Sequence, residues 1–264
     1  MAEFDADRLG TGTKEWAEVT ENIQRGCSNN CLYCYAAHNA NRYRQRERSD
    51  WNREELTKRA DMKSYPARDG VVMFPSSHDI TPFNLEAYIR VAKLILKRGN
   101  SLLIVSKPRM NCIEDLIEDL SPWKDQILFR FTIGSMNDAT CSFWEPGAPS
   151  PMERISCLQG AFEAGYKTSV SIEPMLGSIN NAVEVVRCSD EWVTDTIWIG
   201  KMNKARLRCH GVDQDIVDWI VNVQNDDAIM NLYSQGRYHP KIRWKDSIKM
   251  VVANRERHAT PPPS

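Results

Sequence analysis

Short apolar runs recur along the chain, each followed by a segment whose apolar positions return at helical spacing. Residues 71–74, 102–105, 127–133, 168–172 and 196–199 read as buried strands. They are short, rich in β-branched and aromatic side chains, and bounded by Pro75, Ser106, Gly134, Pro174 and Gly200. Residues 16–24 add a first strand before Gly26. Between the strands, Thr81-Pro82 starts a helix carried by Leu85, Ile89, Ala92 and Leu96 and closed by Gly99. A second helix lies near 111–120. Ser150 is placed to cap a third, with Pro151 at its first position, ending near Gly165. Helices around 179–188 and 212–224 follow, and 246–257 reads as a final basic helix; the rest of 228–257 carries no clear period.

Strands alternating with helices six times predict parallel pairing through right-handed crossovers, an α/β fold. With no further pair of units, the pattern fits an open, partial (β/α)6 TIM-type barrel rather than a closed one. Residues 1–15 read as a lead-in and 16–225 as the barrel. Residues 226–258 read as a C-terminal extension completing the substrate side, and 259–264 as a disordered tail. Parallel barrels gather their chemistry where strands end. The expected strand ends carry Cys27, Cys31, Cys34, Ser76, Ser77, His78, Lys107, Ser135, Asn137, Glu173, Lys201 and Asn203.

Charge narrows the partners. With 34 basic against 35 acidic residues, a protein that coats polyanions is disfavoured, whereas a local basic groove is not. No stretch approaches the roughly 20 apolar residues of a membrane span. The acidic N-terminus has no signal-peptide core, and eight cysteines in a chain of this size without a secretion signal point to a reducing cytoplasm.

Three of those cysteines share one loop: Cys27, Cys31 and Cys34, with gaps of three and two residues. Thiolates so close can wrap one face of an iron–sulfur cube, for which four cysteines make a full ligand set. The next cysteine is Cys112, so one iron would stay open to something that is not protein. Zinc is the alternative from the residues alone. It wants a fourth ligand, which His38 could supply.

The C-x-x-x-C-x-x-C spacing, with Tyr33 before the last cysteine, resembles the signature of the radical S-adenosylmethionine (radical SAM) superfamily. The resemblance implies a 4Fe–4S cluster whose open iron chelates SAM, and reductive cleavage of SAM to a 5′-deoxyadenosyl radical that abstracts hydrogen from a substrate. It also implies a flavodoxin- or ferredoxin-like electron donor. Over roughly residues 16–175 the chain is most similar to the spore photoproduct lyase-like branch. The likeness is carried by 131–135 and by Glu145-Pro146-Gly147 with Ser150 and Arg154, which resembles an E-P-G-x-x-S-x-x-x-R passage. Carried over, Lys107 is expected to hold the SAM carboxylate, a role suited to its charge. Tyr33, Ser76, Ser77, Thr132, Ser135 and Asn137 are expected around the rest of SAM, and Glu173 at its amino group or a substrate amine. The same branch implies a pyrimidine base or modified nucleotide in nucleic acid as substrate, undergoing rearrangement, bond cleavage or modification.

Ser76-Ser77-His78-Asp79 stands where that branch has a cysteine hydrogen donor. Cys141 is the candidate replacement, set against a plain buried thiol. Lys201 and Asn203 are candidates for substrate contact. Arg42, Arg44, Arg46 and Arg48 fit either a phosphate-contacting patch or a solvated helix face. Trp144 fits either core or a platform for a base. Two other functions remain from the residues: a radical SAM enzyme acting on a small metabolite or peptide, and a metal-stabilised binding module without turnover.

Overall fold

A computed structural model of the chain describes residue 4 and residues 12–209 and 211–259. His210, the expected tail from 260 and most of the expected lead-in lie outside the described residues. In chain order the elements are β1 (Val19–Thr20), β2 (Gln24–Arg25), α1 (Tyr35–Arg42), β3 (Glu55–Leu56), β4 (Val71–Met73), α2 (Leu85–Leu96) and β5 (Ser101–Ser106). Then come α3 (Met110–Asp119), β6 (Ile127–Thr132), α4 (Asp138–Trp144), α5 (Pro151–Glu163), β7 (Lys167–Ile172) and α6 (Ile179–Ser189). The last third holds β8 (Ile197–Ile199), α7 (Ala205–Arg208), α8 (Gln214–Val223), α9 (Asp226–Gly236), β9 (Ile242–Trp244) and α10 (Asp246–Ala259).

One sheet of seven parallel strands, in the order β1-β4-β5-β6-β7-β8-β9, curls into a half-barrel with helices around it. The period-2 alternation of strand side chains divides its two faces. Phe129 and Phe131 of β6 are fully buried in the core shared with the outer helices. Leu128 of the same strand packs instead with Met73, Leu103 and Ala17 on the other face. Arg130 lies between the indoles of Trp16 and Trp198, at 4.9 and 5.5 Å from the ring centroids. Burial pulls its guanidinium down to about 10, against the pull of Asp195 3.7 Å away. No helix among the described residues is long and apolar enough to cross a membrane.

The partial barrel expected from the pattern is present, and the differences lie in its details. The single first strand is two. After β1 the chain leaves the sheet at Asn22, whose side chain turns to hold the loop after β4, and β2 then pairs antiparallel with β3. The helix expected from Thr81-Pro82 begins one turn later, because Asn84 accepts from the Thr81 N–H and fixes a turn first. Ser150 caps α5 as expected, its hydroxyl accepting from the Glu153 N–H at 3.2 Å. Within 226–258 lie α9 and the seventh strand, β9, which pairs in parallel with β8. Three residues with Arg243 in the middle gave no strand period.

Candidate active site

The cysteine loop runs from β2 to α1, and two glycines explain its path. Gly26 has φ +76, and a Cβ there would lie 2.1 Å from the Arg53 carbonyl oxygen. Gly147, from another loop, presses so close that a Cβ would lie 2.1 Å from the Ser28 carbonyl oxygen. Backbone bonds hold both sides: the Cys27 N–H donates to Trp51, the Leu32 N–H to Trp144, and the Gly147 N–H to Asn29. Cys34 then caps α1, its sulfur accepting from the Ala37 N–H at 3.4 Å.

Side chains complete the clamp. Glu54 Oε1 accepts from the Ser28 N–H and hydroxyl and from the Thr81 hydroxyl, at 3.3, 3.2 and 3.0 Å. Arg48 donates to the Asn30 side chain and to the Cys31 carbonyl. Arg109 bonds the Asn29 side chain and the Gly147 carbonyl. Arg46 is likewise spent, on the Arg53 carbonyl and Glu55. Two of the four arginines of 41–48 are thus internal braces rather than a phosphate patch or a solvated face; Arg42 and Arg44 are exposed.

Around the three thiols the charges are buried and close. Asp79 Oδ2 lies 3.8 Å from the Cys27 sulfur and accepts from Asn29 at 2.8 Å, while Oδ1 accepts from the Ser106 hydroxyl and the Lys107 N–H. Burial alone would raise its pKa, but Lys107 and these donors hold it below the ordinary carboxylate range. The Lys107 ammonium sits 3.7 Å from Asp79 and 3.8 Å from Glu145, at 11% side-chain exposure. Both distances exceed a hydrogen bond. Burial alone would depress its pKa, yet Asp79, Cys31 and Glu145 lift it well above the usual lysine value. Glu145 accepts from the Tyr33 phenol and pairs with Arg154 at 2.5 Å. Burial raises all three thiols, Cys31 to about 12. They stay protonated until a metal replaces the proton.

Cys27, Cys31, Cys34, Tyr33 and Lys107 are therefore brought together. Thr132 joins them through its carbonyl, which accepts from Arg154 at 3.2 Å. Ser135 is fully buried, its hydroxyl accepting from the Asn137 N–H and from Asn181, both at 3.1 Å. The Asn137 side chain is used to cap α4. Ser76 and Ser77 both donate their N–H to Asn22, and the Ser76 carbonyl accepts from the Tyr35 phenol. Glu173 sits at the end of β7, 3.3 Å from Lys245; burial raises its pKa against the pull of that lysine. Lys201 is 3.8 Å from Asp226, and Asn203 is exposed. Cys141 is buried among Trp144, Leu176 and Met202, its thiol directed at the Ser135 carbonyl and raised by burial to about 11. Trp144, at 2% exposure, is core and offers no face to a base. Asp79, Glu145 and Arg154 received no role from the sequence, although all three lie inside the segments singled out there.

The donor set fits an iron–sulfur cube. Three thiols on one loop beside a cation with unspent donors fit a cluster with an open corner and an anionic ligand there.

No protein-family model matches the chain. A curated relative, the uncharacterised protein ORF301 of Acidianus two-tailed virus, is 27% identical over 250 residues, covering 84% of this chain and 81% of its own. Among solved structures, a point mutant of spore photoproduct lyase matches with TM-score 0.59 at 13% identity, over 90% of this chain and 79% of that one. Spore photoproduct lyase complexed with dinucleoside spore photoproduct matches with TM-score 0.57 at 13% identity, over 90% and 79%. The fold is that of spore photoproduct lyase.

Proposed function

We propose that the protein is a radical SAM enzyme holding a 4Fe–4S cluster on Cys27, Cys31 and Cys34, with SAM beside it, and acting on a pyrimidine base or modified nucleotide in nucleic acid. One observation carries the reading. The Lys107 ammonium is buried next to the thiols with both nearby carboxylates beyond hydrogen-bond length, so its donors are free for an incoming carboxylate such as that of SAM. Bound together, the two groups supply one-electron, hydrogen-abstracting chemistry. The chain's own residues do the rest. The thiols bind, Glu54, Arg48 and Arg109 keep the loop in shape, and Lys107 orients the anionic end of the ligand. The nucleotide substrate is supported by the structural neighbour solved with a dinucleoside spore photoproduct.

Anaerobic reconstitution with iron and sulfide tests this, with Cys31→Ala as control. Expected are bound iron and sulfide, SAM binding, and 5′-deoxyadenosine after reduction, in the wild type alone. A cluster that forms without SAM binding would remove the enzyme reading, and zinc without a cluster would remove the cofactor.

A further inference from the structure

At the barrel mouth the residue after the last cysteine, Tyr35, makes two contacts from loops far along the chain. Its phenol donates to the Ser76 carbonyl after β4, and its ring carries the guanidinium of Arg208, the last residue of α7, 5.9 Å from the ring centroid. Tyr35 thereby links the loop after β4 to α7, and Glu173, at the end of β7, lies within electrostatic reach of Arg208. Arg208 makes no hydrogen bond or ion pair with any described residue, in contrast to Arg46, Arg48, Arg109, Arg154 and Arg206. A half-buried guanidinium pinned on an aromatic face, with its planar fork unspent, is arranged for bidentate capture of an oxyanion.

Resting on the nucleic-acid reading above, we infer that Arg208, steadied by Tyr35, grips a backbone phosphate of the substrate strand and so sets which nucleotide lies over the cysteine loop. Phosphate fits this site better than a peptide carboxylate. The exposed Lys204 stands just before α7, the helix that ends in Arg208, and Arg42 and Arg44 stand exposed at the far end of the helix that Tyr35 begins. A phosphodiester strand offers several charges in a row to such spread cations; one carboxylate does not.

The test uses the full chain, reconstituted and loaded with SAM, and measures binding of single-stranded oligothymidylate across a salt series. A methylphosphonate oligomer with an uncharged backbone runs beside it. Arg208→Ala is expected to weaken binding of the charged strand about tenfold and to lower the log–log salt slope by about one phosphate contact. Binding of the uncharged strand stays as in the wild type. Arg208→Lys keeps the slope but only part of the affinity, because it retains the charge without the fork. Equal weakening of both strands would overturn the inference and reduce Arg208 to a prop for Tyr35, as would an unchanged slope. A wild type that binds SAM but neither strand would overturn this inference and the nucleic-acid substrate together, leaving the cofactor reading in place.

Discussion

Glu145 and Arg154 form an ion pair 2.5 Å long in which neither side chain reaches solvent. The pair is not a closed unit. Glu145 also receives the Tyr33 phenol and faces Lys107, so it joins the cysteine loop to the loop before α5. Replacing one partner strands the other. Glu145→Gln is expected to cost about 3–5 kcal/mol in urea unfolding, the usual cost of an uncompensated buried charge. A double change, Glu145→Gln with Arg154→Met, should regain most of that loss. If the single and double variants were equally unstable, the charge pairing would not be what holds these loops.

Lys107 is expected to matter to the ligand more than to the metal. Lys107→Met removes one charge-assisted contact, so SAM affinity should fall about ten- to a hundredfold in equilibrium dialysis. Iron content should remain near that of the wild type, because none of the thiols moves. Iron lost in proportion to SAM binding would instead make Lys107 a brace of the loop.

Gly147 is predicted to control cluster retention from outside the cysteine motif. In Gly147→Ala the new methyl meets backbone, not a flexible side chain, so the cysteine loop must shift. Outer-sphere disturbance of this kind lowers metal affinity about tenfold or more. Iron titration in the presence of a competing chelator would read it, and wild-type retention would show that the loop adapts.

His78 gives the fold a pH edge. Its Nε2 accepts from the Ile23 N–H at 3.3 Å, and its Nδ1 lies 3.0 Å from the Asp79 carbonyl, an arrangement of the neutral ring. Burial holds its pKa below 6.5, overriding the opposite pulls of Asp79 and Glu54. Below pH 6.5 the unfolded chain therefore takes up a proton that the folded chain refuses. Its contribution is whole above that pH and is lost as pH falls towards the folded value, by at most about 1.4 kcal/mol per pH unit. Denaturant midpoints measured from pH 7.5 to 5.5 should fall more steeply in the wild type than in His78→Gln. Parallel curves would remove His78 as the cause.

The parts of the site that the sequence exposed are those whose chemistry depends on spacing. Three cysteines within eight residues stand out by spacing, and Ser150-Pro151 announces a helix start by local geometry alone. The carboxylates that surround Lys107 were not legible, because burial is a property of the assembled barrel and Asp79 and Glu145 read like any loop acid. For the same reason the arginines of 41–48 passed for one patch. Only folding divides Arg46 and Arg48, turned inward, from Arg42 and Arg44. Short strands failed differently. β9 and the break between β1 and β2 are too brief for a period of two to register.

The cysteine loop owes its shape to residues that come much later in the chain. Glu54, Asp79, Arg109, Trp144 and Gly147 all hold it, across separations of up to 118 residues between Asn29 and Gly147. During synthesis the three thiols emerge early, on a segment with nothing yet to rest against, and the last brace leaves the ribosome only after β6 and α4. A chain cut short before Gly147 therefore lacks the backbone that packs on Ser28 and bonds Asn29, and holds its cysteine loop by fewer braces than the whole chain does.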